Sequence, residues 1–494
     1  MGRNDYPPQS SPSEENLETS PLLFKSSPNN GGATDEASSS QTTSSLSSSY
    51  EDSSPSPDEP EPVVPSPPPL SRSQVCLLVC LSASSLLAGC CTVIQAPFFT
   101  HEAHLRGLSS AASGAVFSCF ALAQMVAFPA MGWLAPRLGV TRLYTLSLLV
   151  AGVTTVVFGM LTYIEGPAPF LGWCLTVRAA EAVGTAAAQT AARTIIINQF
   201  PRRMNSAMSL VEGMIGAGLC LGPAVGGAMY ALGGYGAPFY TLGVLLLGTA
   251  AASLILMPTV TDRSTRTTEK DDSRSSYLEM LILVLSTADN WLIFAALLVA
   301  AMNWTAMDPS MEPYMHAVLG IQPAELSLFF LGSFAGYALS SPLWGRLSDH
   351  INNTFLLVAA CLAPTALGVL LIPPSPLLGL RPSRLLLGLG MVLREPFQLG
   401  AYLPLLPLMV RRSTARGLRS DVRGQALVSA VFGAAYSLGN VLGPVGGGLV
   451  TDRWGYPTLA TWLGGVTVVL CVAMALRGAV YHSTRRTAAP YVEI

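Results

Sequence analysis

The chain has 494 residues and a net charge of −2, and half of its residues are hydrophobic while only 11% are charged. Ordinary globular proteins carry about a quarter of charged residues, so this composition argues against a set of soluble domains. The near-neutral charge, with no basic stripe, does not indicate a nucleic-acid-binding protein. The nine cysteines lie inside apolar stretches, and we interpret them as small buried hydrophobes.

The N-terminal residues 1–72 are rich in Ser, Pro, Asp and Glu and contain almost no aliphatic run. Such a segment buries too little apolar surface to offset its ordering entropy, which predicts a disordered tail. Within it, Glu18 followed by Leu22 and Leu23 resembles the acidic dileucine signals that clathrin adaptors bind on endosomal and lysosomal membrane proteins. Short motifs also arise by chance in disordered tails, so a sorting role and a chance match both stay open.

Apolar stretches long enough to cross a bilayer follow one another from residue 74 onward. We predict twelve spans, over 74–97, 111–132, 140–162, 168–198, 206–231, 237–257, 291–312, 324–345, 354–373, 384–410, 424–449 and 457–477. The break between the sixth and seventh contains an amphipathic piece, 277–285, which we expect to lie along the membrane surface. The expected organisation is a tail over 1–72, a six-helix half over 73–257, a central loop over 258–290, a second six-helix half over 291–477 and a tail over 478–494.

The placement of arginine and lysine predicts the orientation of these spans. If the N-terminus is cytoplasmic, most basic residues fall in inner loops and in the C-terminal tail. The outer loops then contain Arg106, Arg381, Arg384 and Arg453. We therefore expect both termini and the central loop to be cytoplasmic, which requires an even number of spans.

A glycine-proline pattern in the fifth predicted span recurs with the same spacing in the eleventh. Its first copy consists of Gly218, Gly222, Pro223, Gly226 and Gly227, and its second of Gly439, Gly443, Pro444, Gly447 and Gly448. A Gly-Tyr pair follows each copy, at Gly234 and Gly455. A membrane-helix pattern that is duplicated half a protein away predicts a transporter built from two related halves, with these residues serving its bending and packing.

A second, shorter repeat lies at the ends of the second and eighth spans. Its copies are Pro129, Gly132 and Leu134, and Pro342, Gly345 and Leu347. The second copy continues to Asp349, whereas the first has Pro136 at the corresponding place. An acid at this point can cap a helix or pair with basic neighbours on the inner face.

Together these elements resemble the major facilitator superfamily. The two loop repeats are similar to its loop motif. The fifth-span glycines are similar to its antiporter motif, with Ser209 in place of the first glycine. Arg178, Glu181 and Gly184 are similar to its arginine motif, which is linked to proton transfer. A closer similarity over all twelve spans is to the vesicular amine transporter family and its polyamine branch. It rests on Ala96-Pro97-Phe98-Phe99, on 117–122, on Val177-Arg178, on 209–212, on Met307-Asp308-Pro309 and on 340–343.

The resemblance implies an all-α membrane protein of twelve transmembrane helices in two pseudo-symmetric six-helix halves, the major facilitator fold. One departure from the family is informative. Its monoamine and acetylcholine members have an aspartate in the first span that meets the amine, whereas this chain has no acid between residues 74 and 97. The span-eleven aspartate of those members is also missing, with Gly433 in its neighbourhood. Both differences argue against monoamine or acetylcholine as the main substrate.

Ionisable groups within predicted spans each need an explanation, because one charge at a helix centre costs about 2.5–3.5 kcal/mol. Arg178 and Glu181 are three residues apart on one helix and are expected to pair. The pair is either a purely structural one or a proton or cation site. Glu212 is either a cation site or a residue near the helix end that reaches water. In span ten, Arg394 and Glu395 are expected to form a self-neutralising pair at a helix break.

Asp308 and Glu312 lie four residues apart near the outer end of predicted span seven. Two neighbouring carboxylates are costly when both are ionised, unless a cation bridges them or one takes a proton. They are either such a site or a pair exposed to water at the rim. Aromatic residues in nearby spans either line a cavity through cation–π contacts or pack against one another; these are Trp304, Tyr337, Tyr402 and Tyr436.

The sequence thus predicts a proton-coupled antiporter that moves organic cations, foremost spermine and spermidine, into acidic vesicles or lysosomes by alternating access. We expect a multi-pass protein of secretory-vesicle or endosome/lysosome membranes, with the plasma membrane as an alternative, no cofactor or metal, and small organic cations, protons, membrane lipid and clathrin adaptors as partners. Two alternatives stay open: a vesicular or efflux carrier for another amine or drug cation, and a non-transporting receptor or scaffold. The sequence shows no set of nucleophile and base that would indicate an enzyme.

Overall fold

The computed structural model describes residues 70–95, 99–257 and 273–488. The described residues are almost entirely helical, as expected for an all-α protein. The helices are α1 (Arg72–Val93), α2 (Phe99–Leu105), α3 (Ser110–Leu138), α4 (Val140–Met160), α5 (Pro167–Gln199), α6 (Met204–Gly233), α7 (Gly236–Leu256), α8 (Ser273–Ser286), α9 (Ala288–Thr305), α10 (Asp308–Leu319), α11 (Pro323–His350), α12 (Thr354–Leu371), α13 (Arg384–Tyr402), α14 (Leu405–Ala415), α15 (Val422–Trp454) and α16 (Tyr456–Ala488). The dileucine segment with Glu18, Leu22 and Leu23, residues 96–98, the part of the predicted central loop over 258–272, and the side chains of Asp308 and Pro309 lie outside the described residues.

Twelve of these helices follow the order of the twelve predicted spans. Nine are long and apolar enough to cross a membrane, and α8 and α9 together form a bent tenth candidate, counted over the described residues. The two remaining helices, α5 with 33 residues and α13 with 19, fall within the length range of the other candidates. Each contains a buried ion pair. We call α1–α7 the N-half and α9–α16 the C-half.

The amphipathic piece predicted over 277–285 forms α8, which is bent by 83° relative to α9. Leu278 and Ile282 on α8 are more than half exposed. The Tyr277 hydroxyl donates a hydrogen bond to the Pro129 carbonyl of α3 at 2.9 Å. This helix is therefore a separate element whose exposed apolar side chains suit the membrane surface.

Three predicted spans differ from the structure at their C-terminal ends by seven residues or more. Predicted span seven ends at Thr305 rather than at 312, and α10 begins at Asp308. Proline in the first turn of α10 explains the break, because its fixed φ and missing N–H suit a helix start. The helix of predicted span ten ends at Tyr402 in the structure rather than at 410, and Pro404 is the N-cap of α14. The last helix continues to Ala488, so most of the tail predicted from 478 is helical.

The repeated glycines pack one helix closely against another at matching places in the two halves. In the N-half, a Cβ on Gly222 of α6 would lie 2.7 Å from Val93 of α1, and a Cβ on Gly218 would overlap the Leu86 carbonyl of α1. In the C-half, a Cβ on Gly439 of α15 would lie 2.6 Å from the Leu298 carbonyl of α9. Gly226, Gly443 and Gly447 are similarly close to these partner helices, whereas a Cβ on Gly227 or Gly448 would meet nothing within 4 Å. The repeat is thus a packing face on which α6 meets α1 and α15 meets α9.

The Gly-Tyr pairs that follow the repeat end these helices in the same way. Gly234 has φ 70° and Gly455 has φ 85°, a backbone region that favours glycine. The tyrosines that follow, Tyr235 and Tyr456, are buried. The chain therefore turns at equivalent places in the two halves.

The two halves meet along two seams, α6 against α11 and α3 against α15. In the first seam the Ser341 hydroxyl donates to the Ser209 carbonyl, and Gly216 faces the Tyr337 ring. In the second, a Cβ on Gly433 would overlap the Phe128 ring, so glycine allows α15 to approach α3 closely.

One side of the molecule carries the start of α1 and the end of α16, and we call it the terminal side. There, the Gln74 side chain at the start of α1 donates to the Gln199 carbonyl at the end of α5 at 2.9 Å. Asp289 at the start of α9 likewise pairs with Arg477 of α16 at 2.6 Å. These contacts fix which ends of the helices lie on the terminal side in each half.

Candidate functional site

A partly open cavity, which we call the N-half cavity, lies between α1, α4, α5, α6 and α7. Most of its wall is apolar. Its polar lining residues are Ser84, Ser85, Tyr144, Glu181, Thr185, Gln189, Arg193 and Glu212. Apolar walls with a few polar groups are the usual composition of a small-molecule site.

Glu181 reaches this cavity while it is paired with Arg178. Arg178 Nη1 donates to Glu181 Oε2 at 2.7 Å, and both side chains are about 95% buried, with exposures of 4% and 5%. The Arg178 guanidinium also lies over the Phe120 ring, 4.8 Å from its centroid. The expected ion pair is therefore formed. Because Glu181 lines the cavity as well, the pair does not take its carboxylate out of the site.

Glu212 is buried, with 7% exposure, and lines the same cavity. It lies about two turns into α6 and is covered by the C-half, whose Tyr402 hydroxyl donates to Glu212 Oε1 at 3.3 Å. Its burial does not match the alternative of a helix-end side chain exposed at the surface. The sequence does not predict this contact because Tyr402 is 190 residues away from Glu212 along the chain.

Arg193 completes a chain of hydrogen bonds that crosses between the halves. Its Nη2 atom donates to the Tyr402 hydroxyl at 3.3 Å and to Gln189 at 3.2 Å. Its guanidinium lies over the Phe432 ring of α15, 5.2 Å from the centroid. Tyr402 thus joins a cation and an acid of the N-half from the C-half side.

Asp308 and Glu312 do not lie in one continuous span-seven helix, as the sequence suggests. The helix breaks after Thr305, and both residues belong to the separate helix α10. Glu312 is exposed and is not among the residues that line the N-half cavity. For Glu312 the geometry matches the water-exposed rim alternative; the Asp308 side chain is outside the description.

The C-half contains its own ion pair, Arg394 and Glu395, each with 1% side-chain exposure. Arg394 Nε donates to Glu395 Oε1 at 2.8 Å, and Trp304 Nε1 donates to Glu395 Oε2 at 2.6 Å. Both carboxylate oxygens therefore have protein donors. The expected self-neutralising pair is present, but it is not at a helix break, because α13 continues through Pro396 to Tyr402.

Asp349 of α11 caps α6 across the boundary between the halves. Its carboxylate accepts from the backbone N–H of Asn205 at 3.1 Å and from that of Ser206 at 3.0 Å, as well as from both side chains. A carboxylate that bonds the first N–H groups of a helix is a strong N-cap and also favours the positive end of the helix dipole. Of the two roles that the sequence leaves open for this acid, the structure has the cap.

Candidate metal ligands are not clustered in the part of the chain that the structure describes. No group of three or more His, Cys, Asp or Glu side chains there is arranged to hold a metal ion. The polar groups at the N-half cavity are two carboxylates, the Arg193 guanidinium, the Gln189 amide, the Cys91 thiol and several hydroxyls.

Comparison with known proteins agrees with this architecture. The family model described as Major Facilitator Superfamily matches residues 81–302 and 293–490. The chain is 32% identical to the MFS-type transporter SLC18B1 of Rattus norvegicus over 82% of its own length and 87% of that protein, and 29% identical to the Homo sapiens protein of the same name over 84% and 89%.

More distant similarities point the same way. The chain is 22% identical to the synaptic vesicular amine transporter of Mus musculus, over 72% of its own length and 64% of that protein. The crystal structure of the human organic anion transporter MFSD10 (TETRAN) superposes with a TM-score of 0.64 at 15% identity, over 82% of this chain and 100% of that one, which supports the fold alone. The chain is a membrane transporter, not an enzyme, and belongs to the Major Facilitator Superfamily and, within it, to the vesicular amine transporter family.

Proposed function

We propose that this transporter is a proton-coupled antiporter that moves organic cations, with spermine and spermidine as its substrates, into acidic vesicles or lysosomes by alternating access. The observation that carries the proposal is the N-half cavity, in which two buried acids, Glu181 and Glu212, face one space.

The bonding of these two acids suits an exchange of protons for an organic cation. Arg178 bonds one oxygen of Glu181, and Tyr402 bonds one oxygen of Glu212. Among the described residues, the second oxygen of each carboxylate has no protein donor. Buried carboxylates that share a site favour uptake of a proton or of a cation, and each ligand lowers the affinity for the other. A polyamine offers several ammonium groups to such a pair of acids.

The relatives support a cationic substrate through their names alone, since one of them is a synaptic vesicular amine transporter. The described helix α1 has no acidic residue, so a first-span partner for a monoamine is missing there. The acids on α5 and α6 take the role of the cation site in this proposal.

Alternating access is supported by the way the halves contact each other. The Asp349 cap and the seam between Ser209 and Ser341 involve the start of α6 and the end of α11, which lie on the terminal side. Rocking of one half against the other would open these contacts and leave the glycine-packed pairs within each half intact. The cavity would then face one side of the membrane at a time.

A pH gradient supplies enough free energy for useful accumulation. A lumen two pH units more acidic provides about 2.7 kcal/mol per proton, because each tenfold concentration ratio is worth about 1.4 kcal/mol. Two protons per cation would support a gradient on the order of ten-thousandfold if no net charge moved. In this proposal both termini are cytoplasmic, and Glu18, Leu22 and Leu23 recruit clathrin adaptors that direct the protein to vesicles.

The test is uptake of labelled spermidine into proteoliposomes that contain the full chain and an acidic lumen. We expect uptake that stops when an ionophore collapses the pH gradient, and competition by spermine that exceeds competition by serotonin or acetylcholine. Uptake that persists without the gradient would contradict proton coupling. Stronger competition by serotonin would favour the carrier of another amine, and no transport of any cation would favour the receptor or scaffold alternative.

A further inference from the structure

Tyr402 links the two halves through the same acid that lines the N-half cavity. Its hydroxyl accepts a hydrogen bond from Arg193 Nη2 and donates one to Glu212 Oε1, both at 3.3 Å. Arg193 and Glu212 belong to α5 and α6 of the N-half, whereas Tyr402 ends α13 of the C-half. The hydroxyl is buried with them, so water competes little for these bonds.

The position of this bridge matters as much as its chemistry. Tyr402 is the last residue of α13, and Arg193 and Glu212 each lie about two turns from the terminal-side ends of α5 and α6. The bridge therefore spans the part of the interface that must separate when the cavity opens to the terminal side.

Other groups near Glu212 do not duplicate the Tyr402 bond. The phenols of Tyr337 on α11 and Tyr436 on α15 lie within electrostatic range of Glu212, as does Arg193 on α5, and Glu181 on α5 lines the same cavity. Tyr436 packs beside Tyr402, with ring centroids 5.4 Å apart. Among the described residues, only Tyr402 donates a hydrogen bond to the Glu212 carboxylate.

We propose that Tyr402 makes contact between the halves depend on what occupies Glu212, and so prevents the empty carrier from changing sides. The inference rests on the proposed antiport function. A free Glu212 carboxylate accepts the tyrosine hydroxyl and holds the terminal side closed. A proton on Glu212, or an ammonium group bound to it, weakens this acceptor, so the loaded carrier opens more easily than the empty one.

Tyr402→Phe tests this role because it removes one hydroxyl and keeps the ring that packs on Phe432 and Tyr436. Proteoliposomes containing the full chain are loaded with labelled spermidine at the same neutral pH inside and outside. Label exit is measured into buffer with unlabelled spermidine, which reports exchange, and into spermidine-free buffer, which reports efflux and requires the empty carrier to return.

In the wild type we expect efflux to be much slower than exchange. In Tyr402→Phe, efflux should rise at least about tenfold relative to exchange, since a hydrogen bond to a charged group is lost. Tyr436→Phe is the matched control, and its ratio of efflux to exchange should equal that of the wild type. A merely structural role for the hydroxyl would lower both rates together and leave the ratio unchanged, which would overturn the inference.

Failure of the inference and failure of the proposed function are distinguishable here. If no variant exchanges spermidine, the proposed function fails; if exchange persists with an unchanged ratio, only the role of Tyr402 fails.

A second measurement keeps Tyr402 intact in case Tyr402→Phe does not fold. Ser209→Cys combined with Ser341→Cys places two thiols where the halves touch on the terminal side. Spermidine should slow disulfide formation between them several-fold, whereas Ser341→Cys alone should form no such crosslink. A crosslinking rate that does not respond to spermidine would contradict the proposal.

Discussion

The buried acids of this transporter differ in how completely the protein satisfies them. Both oxygens of Glu395 have donors, from Arg394 and Trp304. Glu181 and Glu212 each have one protein-bonded oxygen among the described residues, and both line the N-half cavity. This difference separates an acid that stabilises the fold from two acids that can still take up a ligand.

Replacing either cavity acid should abolish coupled transport. In Glu181→Gln and in Glu212→Gln we expect the initial rate of spermidine uptake driven by a pH gradient to fall at least about tenfold. The reason is that a neutral amide neither binds a proton near physiological pH nor attracts an ammonium group. The measurement is labelled uptake per reconstituted protein. Glu312→Gln is the matched control and should stay near the wild-type rate, since Glu312 is exposed on α10. A larger loss in Glu312→Gln than in Glu212→Gln would reverse our assignment.

For single residues, the sequence predicts contacts between nearby side chains well and contacts between distant ones poorly. Arg178 and Glu181 are predictable because a spacing of three residues places them on one helix face. The bond between Tyr402 and Glu212 depends on how the halves pack, which no local pattern encodes. The sequence presents Tyr402 as a possible cation–π residue, whereas in the structure its hydroxyl donates to an acid.

At the scale of the helices, the glycine repeat separates into packing and non-packing positions. Gly218→Ala should reduce spermidine uptake and lower the melting temperature of the solubilised protein, because its methyl group would overlap the Leu86 carbonyl of α1. Backbone cannot yield to such a contact as a flexible side chain can. Gly227→Ala, where a Cβ meets nothing within 4 Å, is the control and should be tolerated. Equal effects of the two substitutions would argue for bending of α6 over packing.

The Asp349 cap predicts a local change at the start of a helix in the other half. In Asp349→Ala we expect amide hydrogen exchange at Asn205 and Ser206 to accelerate about fivefold, since losing an N-cap typically costs about 1 kcal/mol. Asp421 caps its own helix α15, through Gly424 N at 2.8 Å. Asp421→Ala is therefore the control, and exchange at Asn205 and Ser206 should not change in it. Unchanged exchange in Asp349→Ala would show that the cap does not hold the halves together.

Periodicity predicts the order of the helices but not every place where one ends. The apolar stretches continue across the breaks after Thr305 and Tyr402, and only the nearby prolines signal them. Likewise, the repeat predicts that glycines pack in both halves, but the partner helices α1 and α9 become known only from the tertiary structure.

In the whole molecule, the two halves have matching glycine-packed helices but differ in whether their buried acids face a cavity. The N-half places two acids at a cavity, and the C-half contains a fully bonded ion pair. Tyr402 is the described group through which the C-half contacts the Glu212 carboxylate. In the proposed antiporter, this asymmetry would let one half bind the exchanging ions while the other responds to their binding.

Proton movement caused by the substrate tests the central claim most directly. Proteoliposomes containing the full chain and a trapped pH-sensitive dye are prepared with an acidic lumen, and spermidine is added outside. We predict that the lumen becomes less acidic as spermidine enters, at a rate that rises and saturates with spermidine concentration and is lost in Glu212→Gln. Spermidine uptake without any change in luminal pH would contradict the exchange of protons for an organic cation.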